Sequence, residues 1–160
     1  MPIQKLREFL DENCVKYVVI THSKAFTSQG IAASAHISGN ELAKTVMLKK
    51  DGELCMAVLP ASKQVSLAEF AKLTQSRSVT LASESDFKDR FPDCEVGAMP
   101  PFGNLYGLRV YADTSLAHDK EIAFNAGSHL ELVKLAFSDF EGLVEPTIID
   151  FASRSTSLAA

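Results

Sequence analysis

Apolar positions recur along the chain with two different periods, and the points where one period gives way to the other divide it into elements. In "PIQKLREFLDEN", Ile3, Leu6, Phe9 and Leu10 share one helical face and Pro2 suits a first turn, so residues 2–13 are expected to form an amphipathic helix. The β-branched and aromatic run "VKYVVI" makes Val15 to Ile20 a strand ending at Thr21 and His22. A second helix is expected from about Thr27 to His36, with Gly39 beyond its end. The clearest local pattern is "KTVMLKKDGELCMAVLP". Two strand-like runs, Thr45 to Lys49 and Leu54 to Leu59, flank Asp51-Gly52, the pair that favours a tight hairpin turn.

Helix starts are marked twice more. Ser66 with Glu69, and Ser83 with Asp86, have capping-box spacing before "SLAEFAKL" and "ESDFKDRF", and Pro92 closes the second of these helices. Between them "SVTLA" reads as a short strand. Further on, "LYGLRVYAD" reads as a strand weakened by Gly107, and "EIAFNAG" as another. In "SHLELVKLAF" helical and alternating patterns compete; a strand returning from a turn at Asn125 to Ser128 is preferred, followed by a helix through "SDFEGLV". Strands outnumber helices without alternating regularly with them. The expected class is therefore α+β rather than doubly wound: a single domain with a curled, mixed, barrel-like sheet flanked by helices. The domain is drawn over residues 1–150, and "FASRSTSLAA", residues 151–160, is expected to fray as a small polar tail.

Composition narrows the class of protein. With 160 residues and 46% apolar content the chain buries one good core. Cys14, Cys55 and Cys94 are odd in number and far apart, without metal-ligand spacing, and read as free thiols in a reducing compartment. No apolar run approaches the roughly 20 residues that cross a bilayer, and no secretion signal opens the chain, which makes it a cytoplasmic candidate with no membrane partner. A net charge of −4 disfavours a grip on many phosphates, as DNA binding would require. Lys44, Lys49 and Lys50, followed by Lys63, Lys72 and Arg77, still allow contact with a nucleic-acid end.

The search for chemistry first eliminates. There is no GxSxG elbow, P-loop, GxGxxG or HExxH. Ser128 and His129 are adjacent, but neighbours on a strand point to opposite faces, which excludes a simple dyad. For His22, His36, His118 and His129 an ordinary surface or capping role outweighs a catalytic one, with His22 and His129 the better candidates because both sit at strand ends. Lys44 is either a solvated strand flank or a fixed charge that binds a phosphate or polarises a carbonyl. Cys55, inside "LCMAV", reads as core. In "GAMPPFGN", Gly97 to Asn104, two prolines between two glycines stiffen the backbone, which either turns a corner or holds carbonyls and amides against a ligand.

Taken together, "ELAKTVMLK", "MAVLPASKQV", "GAMPPFGNLYGLRVYAD" and "EIAFNAGSH" occur in the order and spacing of the YbaK/ProX family, and the chain resembles that family from Ile3 to Val144. Its members are free-standing relatives of the editing domain inserted in bacterial prolyl-tRNA synthetase. The resemblance implies trans-editing: hydrolysis of the ester that joins a small, wrongly attached amino acid, such as cysteine or alanine, to tRNA for proline. It implies catalytic roles for Lys44, matching the family's lysine, and for Gly97, which opens a GxxxP loop ending at Pro101. The substrate-binding set carried over is His22, Phe26, Thr45, Met99, Pro100, Pro101, Phe102, Gly127, Ser128 and His129. No metal or cofactor is implied, and the partners implied are the aminoacyl-tRNA acceptor end and prolyl-tRNA synthetase.

Two departures qualify the match. Thr45 stands where alanine-specific relatives commonly have Asn, which is closer to the cysteine-deacylating branch, and "TSQG" stands where many relatives carry an acidic pair. The absence of a triad is consistent with this chemistry. An aminoacyl ester is already activated, so a positioned water and stabilised carbonyl charge suffice without a protein nucleophile. The competing reading is a non-catalytic module that recognises an aminoacylated tRNA end or a synthetase.

Overall fold

A computed structural model of the chain describes residues 3–21, 41–95 and 97–154. The elements in chain order are α1 (Gln4–Glu12), β1 (Tyr17–Thr21), β2 (Ala43–Lys50), β3 (Glu53–Pro60), β4 (Lys63–Val65), α2 (Leu67–Leu73), β5 (Val79–Leu81), α3 (Glu84–Phe87), β6 (Val110–Asp113), β7 (Glu121–Asn125), β8 (Glu131–Ala136), α4 (Phe137–Val144), β9 (Thr147–Ile149) and β10 (Ala152–Arg154). The expected Thr27–His36 helix lies outside the described residues. No helix among the described residues is long and apolar enough to cross a membrane.

The hairpin forms where its turn chemistry places it. Asp51 and Gly52 both take positive φ, +50° and +86°, and β2 pairs with β3 without interruption from Ala43↔Pro60 to Lys50↔Glu53. Asp51 also holds the neighbouring segment, its Oδ1 accepting from the Arg77 and Ser78 amides at 2.9 Å each. Both helix-start signals are realised: the Ser66 hydroxyl accepts from the Glu69 amide, and Ser83 with Asp86 forms a reciprocal capping box.

Three sheets result, and none closes into a barrel among the described residues. A mixed five-stranded sheet runs β5-β2-β3-β6-β9, a three-stranded antiparallel sheet runs β1-β8-β7, and β4 pairs with β10. β3 lies inside the largest sheet, so Cys55 to Pro60 is buried throughout. Continuous pairing makes the two faces of β2 easy to assign, because successive side chains alternate. Ala43 and Met47 pack into the main core with Met99, Phe102, Phe124 and Phe140, whereas Val46 and Leu48 face a second core around Phe70, Tyr111 and Phe151. The two large sheets meet through a parallel bridge, Leu42↔Ala123, in which the Ala123 amide donates to the Glu41 carbonyl at 3.0 Å.

Three expectations change. Gly103–Tyr106 coils into a 3-10 turn that Gly107 ends at φ +68°, so the strand in "LYGLRVYAD" is reduced to Val110–Asp113. Ser128 and His129 stand in a turn rather than on a strand, so strand alternation does not govern them. The tail does not fray at its start: Phe151 is buried with its ring 5.3 Å from that of Phe70, and β10 pairs with β4. The cause lies far away in sequence. Buried Asp113 accepts from the Phe151 amide at 3.0 Å and the Ala152 amide at 2.8 Å, and its other oxygen accepts from the amide and hydroxyl of Ser115.

Candidate active site

The stiff loop is anchored from below. Met99, Pro100, Pro101 and Phe102 are all buried, and the Phe102 ring packs against Phe124, Phe140 and Phe9 at centroid distances of 5.5, 5.7 and 6.1 Å. These four residues were expected to touch substrate; Phe102, wholly inaccessible to solvent, instead ties the loop to the core. Gly97 is the exposed member. Its φ of +84° is unfavourable for a residue with a Cβ, which accounts for glycine there.

A second turn docks on this loop. The Gly127 amide donates to the Ala98 carbonyl at 2.9 Å, and the Glu95 amide donates to the Gly127 carbonyl at 2.8 Å. Gly127 also has positive φ, +98°, and a Cβ there would lie 2.3 Å from Ile3 Cγ2, so helix α1 packs against bare backbone. The Ile3 amide in turn donates to the Ala126 carbonyl at 3.1 Å. The docked turn delivers His129 to Gly97: a Cβ at Gly97 would lie 3.5 Å from His129 Cε1 and 3.7 Å from Nε2. Glu95 holds the imidazole's backbone, accepting from the His129 amide at 3.2 Å, and its Oε2 stands 4.0 Å from Nε2. Ser128 is occupied locally, its hydroxyl accepting from the Leu130 amide at 3.0 Å.

Lys44 stands on β2. It lies opposite Leu59 near the start of β2, and partial burial lowers its pKa because a desolvated ammonium is disfavoured. Alternation places Thr45, opposite Val58, on the face of Ala43 and Met47, and Lys44 on the other. Two residues before Lys44 is Leu42, bridged to Ala123; two residues after Ala123 is Asn125, which leads into the Gly127 turn. The Lys44 and Gly97–His129 groups are thus connected through β7. His22 and Phe26 lie outside the described residues.

Neither Cys55 nor Cys94 supplies a ready nucleophile. Burial pushes Cys55 and Cys94 up to about 11, so both are protonated at neutral pH. Among the described residues no three His, Cys, Asp or Glu side chains gather as a metal-binding group. Glu95, which contacts His129, is not anticipated by the sequence. Glu95 acts across 34 positions to hold His129, which no local spacing reveals.

Residues 22–143 match the family described as the aminoacyl-tRNA editing domain. A curated protein of Escherichia coli (strain K12), the multifunctional Ser/Thr-tRNA deacylase ProXp-y, is 28% identical over 153 residues, spanning 92% of this chain and 91% of the relative. Among solved structures, a hypothetical protein superposes with a TM-score of 0.83 at 18% identity, covering 94% of this chain and all of the other. Another, proposed as a trans-editing enzyme for prolyl-tRNA synthetase, gives 0.80 at 15% identity, covering 94% and 96%. At these identities the structures establish the shared fold.

Proposed function

The chain belongs to the aminoacyl-tRNA editing domain family, and from that premise we propose that it is a cytoplasmic, free-standing deacylase that removes a small, wrongly attached amino acid from tRNA. The observation that carries the reading is the packing of Gly97 against His129, beside Gly127, on a loop fixed by buried prolines. It supplies rigid backbone donors and acceptors of the kind that orient a water and a ribose hydroxyl.

In the reaction a water oxygen bonds to the ester carbonyl carbon. The bond from that carbon to the ribose oxygen breaks, the ribose oxygen takes up one of the water's protons, and the amino acid leaves as its carboxylate with the other proton released to solvent. Lys44 stabilises the negative charge that develops on the carbonyl oxygen or binds the adjoining terminal phosphate, and backbone groups around Gly97 hold the water. No protein nucleophile is used. Thr45 helps set the size of the amino-acid pocket. The substrate class is small: cysteine or alanine by the chain's motifs, with serine and threonine added by the curated relative's name. Transfer RNA for proline is the acceptor proposed, with prolyl-tRNA synthetase as the partner that supplies the rest of the grip on tRNA.

The test is a panel of tRNAs charged with serine, threonine, alanine or cysteine, alongside free amino-acid esters. Hydrolysis of at least one tRNA ester well above the spontaneous rate is expected. Binding of charged tRNA without hydrolysis of any ester would leave the non-catalytic module as the correct reading.

A further inference from the structure

We propose that Asn125 determines specificity in this site, its side-chain oxygen accepting a hydrogen bond from a hydroxyl on the amino acid of the ester. The proposal rests on the deacylase reading above and adds to it a residue and the chemical group it selects.

Its position follows from sheet register. The parallel bridge Leu42↔Ala123 aligns the start of β2 with β7, and these strands lie in contact. Two residues further along each segment stand Lys44 and Asn125, and alternation puts both on the face that carries Leu42 and Ala123. Across the β7–β8 pair Asn125 lies opposite Leu132, and it immediately precedes the turn that carries Gly127 and His129 to Gly97. Asn125 thus stands two residues after the Ala123 bridge and two before Gly127.

Its chemistry is unresolved in the free protein. The Asn125 Oδ1 atom is shielded from solvent and has no hydrogen-bond partner among the described residues. A buried, unpaired acceptor costs about 1–3 kcal/mol, which is recovered only when a donor arrives. Leu42, Ala123 and Leu132, the buried side chains of the same face, carry none.

The substrate class proposed above supplies the donor: serine and threonine each carry one neutral side-chain hydroxyl, which an amide oxygen accepts without a charge having to be buried. Discrimination built this way is steep, because an amino acid lacking the hydroxyl leaves the acceptor unpaired, whereas a pocket that reads only size gains little from one methyl group.

The experiment compares kcat/KM for seryl-tRNA and alanyl-tRNA, on the same tRNA, in the full chain and in Asn125→Leu, a near-isosteric change that removes the acceptor. The ratio of two esters measured on one preparation does not depend on the fraction of protein that is folded. The full chain is expected to prefer the seryl ester, and the preference is expected to fall at least ~10-fold in the variant. Asn125→Ala gives the same readout if the leucine variant does not fold. An unchanged ratio, or rates that fall equally for both esters, would overturn the proposal, since either means that Asn125 does not read the hydroxyl. Hydrolysis of the alanyl ester with no preference for the seryl one would overturn it too, while leaving the deacylase reading intact. A full chain that hydrolyses neither ester, nor any other on the panel, would overturn both.

Discussion

The His129 imidazole stands against the α-carbon of Gly97, close enough that a methyl group added there would lie 3.5 Å from Cε1 and 3.7 Å from Nε2. These are ordinary van der Waals distances, so the contact itself tolerates alanine. The backbone does not, because φ is +84°. Gly97→Ala is expected to cost about 1–2 kcal/mol and lower the melting temperature by a few degrees. Deacylation should fall further than stability does, at least ~10-fold at a temperature where the variant is fully folded, because the methyl fills the space between loop and imidazole. A thermal melt and a rate on the same sample check both parts; a full rate in a folded variant contradicts the placement of Gly97.

Gly127 makes the opposite case, in which contact dominates. A Cβ there meets Ile3 Cγ2 at 2.3 Å, and Ile3 is stiff, β-branched and held by its amide's bond to the Ala126 carbonyl. Gly127→Ala is expected to destabilise the protein by about 3 kcal/mol through strain at φ +98° and displacement of helix α1. Adding Ile3→Ala removes the clash but not the backbone strain. Chemical denaturation should therefore show the double variant more stable, by about 1 kcal/mol or more, than the sum of the single losses predicts. Additive losses would mean that the Ile3–Gly127 contact is not the cause.

Burial gives Lys44 a pH signature with two opposite signs. Its pKa is lowered in the folded protein, so at pH values between the folded and unfolded pKa the unfolded chain binds more protons. This site's contribution to stability therefore rises as pH climbs through that window. Activity that needs the ammonium falls through the folded pKa, below the ordinary lysine range. A kcat/KM profile measured on the alkaline side should show that decline in the parent chain. In Lys44→Arg, which remains protonated, whatever activity survives should lack it. An identical alkaline limb in both proteins assigns the titration to another group.

Much of this arrangement was legible in the sequence where the cause is local. Asp51-Gly52 specifies its hairpin through positive φ, Ser83 and Asp86 cap each other, and the Gly97–Pro101 loop is stiff because of its own residues. Causes that act through space were not legible. Nothing near residue 151 announces that Asp113 will bind its amide, and nothing near His129 announces Glu95. The Leu42↔Ala123 bridge joins segments far apart in sequence, so alternation within β2 alone could not show which strand meets its start. The strand in "LYGLRVYAD" was overextended because its residues favour a strand, while the 3-10 turn after Phe102 and the left-handed Gly107 consume its first half.

The most direct test of the central claim is single-turnover deacylation of a mischarged tRNA by Lys44→Ala beside the parent chain. Lys44 occupies a half-buried position with no ion pair or hydrogen bond among the described residues that its loss would leave broken, so the variant should fold. The account predicts a rate at least ~100-fold lower, the scale of losing one group that stabilises developing charge. A folded Lys44→Ala variant that deacylates at the parental rate would contradict it.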